Sequence, residues 1–298
     1  MKMVQVLMST YNGKKYIREQ LDSILEQTYP NISILIRDDG SKDGTLDILK
    51  EYSDNYPNVN YYVGENIGVQ KSFFDLFSHV DANVEYVATC DQDDVWYPDK
   101  IETAIRQLQE LNGPALYCCR TQLTDAKLVP IEDNIRDYKP RISFGNALIE
   151  NICTGCTMVI NKALCQLVQG KFPSRSVIHD WWFYQIALCF GKVVYDDTPH
   201  VLYRQHEGNV IGLDHSRLAL IKRQLRSLKK FKGTYTAQMQ EFMDTFSLEG
   251  ENKYLAELIV GTRTSWKCRW RVLFEKAIFR QGKIDTILFK GMLFFGIL

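Results

Sequence analysis

Two acidic clusters carry the clearest chemical signal in this chain. Asp38-Asp39-Gly40-Ser41 directly follows the apolar run Ile32–Arg37, and Asp91-Gln92-Asp93-Asp94 directly follows Val84–Cys90. Carboxylates gathered this closely repel one another unless a cation shares them. Mg²⁺ or Mn²⁺ held by one or two carboxylates is commonly completed by substrate phosphates, so the pattern points to a metal-bridged diphosphate ligand. Asp39, Asp91 and Asp93 are the candidates; Asp43 and Asp99 read as turn formers and helix caps, the ordinary use of Asp after strands. No Gly-x-x-x-x-Gly-Lys-Ser/Thr loop is present, and no Gly-x-Gly-x-x-Gly follows the first strand, which removes P-loop and dinucleotide sites. Cys153-Thr154-Gly155-Cys156 has redox spacing, but a lone C-x-x-C supplies half a zinc site at most and its apolar neighbours suit buried structural cysteines. Thr154 and Gly155 are the more informative pair there.

The elements that must position these residues alternate between strand and helix. Val4–Met8 is followed by a helix over about 14–27 with Ile17, Leu21, Ile24 and Leu25 on one stripe, then by the strand Ile32–Arg37. A helix capped by Ser41 or Asp43, a strand near Asn60–Val63, a helix bearing Phe73, Phe74 and Phe77, and the strand Val84–Cys90 come next, and Pro98 opens a further helix. Strand-first alternation predicts an α/β fold with a mainly parallel sheet, whose ligands bind at the strands' carboxyl ends. Beyond Ala115 the order becomes mixed: Leu116–Cys119, Cys156–Ile160, a helix over Asp180–Phe190, then strands Val193–Tyr195 and His200–Arg204. From 213 the strand signals stop. The expected division is a catalytic domain at 1–212, with a nucleotide-binding half at 1–100 and an acceptor half at 101–212, followed by a helical region at 213–298.

With 298 residues, 45% of them hydrophobic and 24% charged, the chain can bury a full core. The 36 basic and 36 acidic residues balance, which gives no bias toward nucleic acid. Eight cysteines are too few for a disulfide scaffold, and mostly apolar neighbours suggest a reducing cytosol. No secretory leader and no run of ~20 apolar residues is seen.

The motifs together resemble the family 2 inverting glycosyltransferases of the GT-A fold. Ser-Thr-Tyr-Asn-Gly at 9–13, Asp-Asp-Gly-Ser at 38–41, Gly64-Glu65-Asn66-Ile67-Gly68, Asp-Gln-Asp-Asp at 91–94 with Trp96-Tyr97-Pro98-Asp99-Lys100, and His179-Asp180 stand in the family's order over about residues 3–210. Gly64–Gly68 and Tyr203-Arg204-Gln205-His206 look most like rhamnosyltransferases of cell-surface polysaccharides. The resemblance implies a mixed, mostly parallel sheet flanked by helices. It implies that Ser9, Tyr11 and Asp39 hold the nucleotide base, Asp91 contacts ribose or donor sugar, Asp93 binds Mn²⁺ or Mg²⁺ with His206 completing the metal or diphosphate site, and Asp180 is the general base. His179 stands where an acidic residue is common. Lys71 reads as a phosphate contact or a solvated helix lysine, and Trp181 and Trp182 offer apolar faces for an acceptor sugar.

The chemistry agrees on independent grounds. A nucleotide diphosphate is an activated leaving group, so transfer with inversion needs one protein base, whereas a glycosidase needs a second carboxyl acid across the scissile bond. The expected reaction is transfer of L-rhamnose from dTDP-β-L-rhamnose to a lipid-linked glycan at the cytoplasmic membrane face. The alternatives are a UDP-hexose or UDP-N-acetylhexosamine donor, or an inactive glycan-binding subunit. Residues 213–298 hold 16 Lys/Arg against 8 Asp/Glu. The stripe Leu218, Ile221, Leu225 and Leu228 within a basic stretch predicts an amphipathic helix, and Trp266 and Trp270 interleave with Lys267, Arg269 and Arg271. That pattern suits a peripheral membrane surface, with helix packing or a homodimer contact as the alternatives.

Overall fold

The computed structural model describes residues 1–131, 139–175, 178–206 and 233–297. The chain forms two compact units: Met1–Asp137 with Cys153–Gly170 and Phe190–Asn209, and Tyr138–Ile152 with Lys171–Cys189 and Val210–Leu298. This division does not follow a linear boundary at 212, because two earlier segments group with the C-terminal helices.

The first unit is built on one eight-stranded sheet in the order β3-β2-β1-β4-β7-β6-β8-β5. β1 (Val4–Thr10) lies between β2 (Ile32–Asp38) and β4 (Tyr86–Cys90), parallel to both, and β3 (Val59–Val63) extends the parallel set beyond β2. The near-continuous apolar runs of β1 and β4 are what a doubly covered parallel strand requires, and both are buried almost throughout. The covering helices are α1 (Ile17–Leu25), α2 (Thr45–Asn55), α3 (Val69–Ser78) and α4 (Lys100–Leu108). Ile17, Leu21 and Ile24 of α1 face the core, as the stripe requires. The helix starts later than 14 because Gly13 O first accepts the amides of Tyr16 and Ile17 in a turn.

β7 (Val159–Asn161) runs antiparallel to β4 and to β6 (Ala115–Thr124), so β6 points the same way as β4. β8 (Lys192–Arg204) is parallel to β6. The carboxyl ends of β1, β2, β3, β4, β6 and β8 therefore share one edge of the sheet. Three sequence expectations are corrected here. Val193–Tyr195 and His200–Arg204 are not two strands but parts of β8; Pro199, which has no N–H to give the ladder, falls at the register irregularity opposite Arg120. The run Cys156–Ile160 opens as a short 3₁₀ turn at Gly155–Thr157 before β7. The two-residue strand β5 (Val95–Trp96) and the short helices α5 (Phe144–Ala147) and α6 (Lys162–Val168) had no periodic signal to mark them.

The second unit is helical: α5, α7 (His179–Phe190), α8 (Thr234–Thr245), α9 (Gly250–Gly261), α10 (Trp266–Phe274) and α11 (Lys283–Phe294) among its described residues. Every residue of α7 from His179 to Ala187 is buried, the mark of a helix apolar around its circumference. The predicted stripe of Leu218, Ile221, Leu225 and Leu228 lies outside the described residues. No described helix is long and apolar enough to cross a membrane, and all eight cysteines are free.

Candidate functional site

At the shared strand edge of the first unit, the turn after β1 is tied to the turn after β4. Tyr11 N donates to Gln92 Oε1 at 2.9 Å, and Gln92 Nε2 donates back to Tyr11 O at 3.2 Å. Gln92 packs directly on Gly13, where a Cβ would collide with its amide. Tyr11 is itself exposed, and Ser9 Oγ donates to Ser72 Oγ of α3 at 2.7 Å.

The two neighbouring aspartates after β2 have different surroundings. Asp38 is fully buried and builds the turn: Oδ1 accepts the amides of Gly40 and Ser41, and Oδ2 accepts the hydroxyls of Thr10 and Ser41. Asp39 is also buried; its Oδ2 accepts the amides of Ile67 at 3.1 Å and Gly68 at 2.8 Å, and the carboxylate pairs with Arg37. Gly68 presents that amide from a φ of +80°, a conformation that favours glycine. Arg37 also reaches Asp75 and Glu65 O, so one buried guanidinium joins β2, α3 and the 64–68 loop. Lys71 is exposed on α3.

The Asp91–Asp94 turn is graded in exposure. Asp91, Gln92 and Asp93 are partly open, while Asp94 is buried and accepts the Arg204 amide at 3.1 Å. Burial, followed by the charges of Asp91 and Asp93, holds the Asp94 carboxyl well above the usual carboxylate range. His206 follows β8 and brings Nε2 to 2.9 Å from Asp93 Oδ2. Its ring lies 4.8 Å from that of Tyr16, centroid to centroid. Asp91 and Asp94 also share a cluster with the Cys156 thiol, their ligand atoms all within 4.8 Å of one another. Burial keeps that thiol protonated by pushing its pKa well up. The more open Asp93–His206 pair offers a carboxylate and an imidazole, donors that suit Mg²⁺ or Mn²⁺, while Asp91 groups with Asp94 and Cys156.

Arg204, quoted in the motif but given no role, proves to be the brace of this turn. It is buried; Nε donates to Asp93 O and Nη1 to Ala126 O, both at 2.8 Å, while Nη2 pairs with Glu19 of α1. The guanidinium carbon sits 4.5 Å from the Tyr16 ring centroid. Arg204→Met leaves those two carbonyls without their charged donor, and the expected loss is about 2–4 kcal/mol of stability. Glu19→Gln, at a half-exposed carboxylate, is expected to cost about 1 kcal/mol or less. Urea denaturation midpoints of the two variants check this ordering. Lys100 is the second unpredicted charge: it is completely buried, its Nζ 3.1 Å from the Trp96 ring centroid, and burial pushes its pKa down to about 8.

Asp43 accepts from the amide and hydroxyl of Thr45 at the start of α2, as a turn former should. Asp99 occupies the N-cap position of α4 but makes no cap bond; its Oδ1 lies 3.0 Å from His200 Nδ1 instead. Gly155 O accepts the Thr89 hydroxyl of β4 at 2.5 Å, and Thr154 O accepts Thr157.

In the second unit, Asp180 lies buried in the first turn of α7, its Oδ1 accepting the Trp181 amide at 2.6 Å. His179 is buried beside it, and burial pushes its pKa to about 3, so a neutral imidazole stands where an acidic residue was expected from the resemblance. The two tryptophans require a correction, for neither opens a ring face to a sugar. Trp181 donates to Ala147 O and packs edge-on to Tyr235; Trp182 donates to Lys171 O and packs against Phe242 and Phe246. Both are buried, as is every residue of α7 from His179 to Ala187.

The profile of glycosyl transferase family 2 matches residues 5–167. A dTDP-rhamnosyl transferase of Shigella flexneri, RfbG, is 37% identical over 227 residues, which are 72% of this chain and 77% of that protein. Among solved structures, residues 1–349 of S. aureus TarS in complex with UDP-GlcNAc match with a TM-score of 0.60 at 18% identity, over 88% of this chain and 71% of that one. The mannosyltransferase PcManGT of Pyrobaculum calidifontis, in complex with GDP-Man and Mn²⁺, matches with a TM-score of 0.56 at 17% identity, over 97% and 73%. The likenesses to the two solved structures are of fold alone. The chain belongs to glycosyl transferase family 2 and carries its sheet in the GT-A arrangement.

Proposed function

We propose that this glycosyltransferase moves L-rhamnose, with inversion, from dTDP-β-L-rhamnose to a lipid-linked glycan, working peripherally at the cytoplasmic face of the membrane. The observation that carries the reading is the partly open Asp91–Asp93 turn, with His206 at 2.9 Å from Asp93, at the edge where six parallel strand ends converge. Asp93 and His206 would hold Mg²⁺ or Mn²⁺, which when bound supplies charge neutralisation for a diphosphate leaving group, and Asp91 serves the ribose or donor sugar. Ser9 and Tyr11 flank the base. Asp39, whose carboxylate is committed to the amides of Ile67 and Gly68, serves the same subsite by fixing the 64–68 loop. Lys71 is available to a phosphate, Thr154 and Gly155 are assigned to the acceptor side, and Asp180 takes the proton of the attacking hydroxyl.

The donor sugar rests on the likeness to the Shigella protein, and a donor panel tests it. With a rhamnose-terminated lipid acceptor, dTDP-β-L-rhamnose is expected to support transfer and give an α-linked product, while UDP-glucose and UDP-N-acetylglucosamine give none. Transfer from a UDP sugar with none from dTDP-rhamnose would move the chain to another donor branch and leave the mechanism standing.

A further inference from the structure

Helices α10 and α11 form a hairpin whose outer side is apolar. Trp266, Trp270 and Phe274 recur every fourth residue along α10, and Ile284, Ile287 and Leu288 share a face of α11; each is more than half exposed. The opposite faces are what hold the hairpin to its unit. Val272, Phe289 and Leu293 are buried, and Lys290 donates to Glu275 O at 2.5 Å, beyond the end of α10. Trp266 and Trp270 meet Phe294 edge to face, at 5.7 and 5.0 Å, and so knit the ends of the two helices together. An exposed apolar surface of this kind marks an interaction site.

The charges around it select the partner. Among the described residues from 266 onward, every exposed charged side chain is basic: Lys267, Arg271, Lys276 and Lys283. The acids of this stretch, Glu275 and Asp285, are half-buried, and Glu275 is engaged in accepting the Ala277 amide and the Tyr254 hydroxyl. Lys267 and Arg271 form a row beside Trp266 and Trp270, which places cations at headgroup level and rings at the boundary below. A second copy of this face would bring the same cations against one another, and neither helix is long enough to span a bilayer.

We infer that the α10–α11 hairpin is a monotopic membrane-docking surface, seating its aromatic and aliphatic rows in the interface of an anionic leaflet while its lysines and arginines take the lipid phosphates. The inference deepens the proposed reading, and rests on it, by giving the enzyme a means of staying beside a lipid-linked acceptor. Each Lys or Arg close to an anionic surface is worth about fivefold in affinity, so Lys267 and Arg271 together account for about thirtyfold.

Vesicle binding by the full-length protein tests it without donor or acceptor. The protein is expected to float with vesicles of equal phosphatidylglycerol and phosphatidylcholine at low salt and to be released as salt rises. Pure phosphatidylcholine should bind it far more weakly. Lipids brominated in the upper acyl chain should quench tryptophan emission, because Trp96, Trp181 and Trp182 are buried and Trp266 and Trp270 are the exposed pair. K267E/R271E should lower affinity at least about thirtyfold. F274S/I284S/I287S should lower it at least about tenfold, with the circular dichroism melt and the transfer rate to a soluble acceptor analogue unchanged, because all three side chains are exposed. If the triple variant does not fold, F274S and I284S singly carry the test, since both side chains are exposed. Absence of flotation at low salt, or wild-type flotation by a folded triple variant, overturns the inference. Sedimentation showing a dimer that the triple variant splits, with vesicle binding unaltered, overturns it in favour of a second copy. None of these outcomes depends on which sugar is transferred.

Discussion

Asp180→Asn is expected to lower kcat by about 10²–10⁴-fold while leaving donor affinity and the thermal melt close to wild type, because a general base contributes a factor of that size. The carboxylate sits in the first turn of a twelve-residue helix, where the helix dipole favours negative charge. Asn preserves the shape and can still accept the Trp181 amide that Oδ1 accepts now, but it has no basic oxygen to take a proton. His179 is a poor deputy, since burial pushes its pKa down to about 3 and so makes its imidazole a weak base. Single-turnover transfer with donor and acceptor saturating separates the chemical step from binding. Near-normal turnover by a folded Asp180→Asn enzyme would reassign the base.

The second large effect is expected at the strand edge. Asp93→Ala should lower kcat/KM by about 10³-fold or more and remove the dependence of nucleotide-diphosphate binding on Mg²⁺ or Mn²⁺, because the proposed cation links protein carboxylate to leaving group. His206→Ala should weaken the same coupling less, since the Asp93 carboxylate remains. Titrating the nucleotide diphosphate calorimetrically, with and without Mn²⁺, reads the coupling directly in each variant. Full turnover by the wild-type enzyme after verified metal removal and in excess chelator would overturn the metal assignment and leave phosphate neutralisation to Lys and Arg.

How far the sequence reached depended on the range of the interaction concerned. β1 and β4 were legible because a short, nearly continuous apolar run is what a strand covered on both faces looks like. The pairing of Asp93 with His206 came from the resemblance, and the two side chains do meet. Arg204 was missed although it stood in a quoted motif, because its partner Glu19 is 185 residues away and nothing local marks a buried guanidinium. Lys100 was hidden for a similar reason: a lysine at the start of a helix reads as solvated until Trp96 is seen to lie beneath it. The tryptophans failed in the opposite direction. Adjacent aromatics after an acidic residue suggest a sugar platform, yet α7 is buried around its circumference and both rings are interior.

The discontinuous make-up of the helical unit bears on how the protein is made. The segments around 141–150 and 171–189 emerge from the ribosome well before their partners. Arg141 N donates to Gln281, 140 residues on; Asn146 Nδ2 donates to Phe279 O; Gln238 Nε2 donates to Gln185; and Glu241 accepts Ser174. Long-range closures of this kind are slow and leave apolar surface waiting. The nascent chain must therefore keep Trp181 and Trp182 without their aromatic partners until Tyr235, Phe242 and Phe246 have been made. A chain that stopped before residue 234 would hold the strand-edge acids but lack α8, whose Tyr235 and Phe242 pack against Trp181 and Trp182, a product for chaperones and proteases to clear.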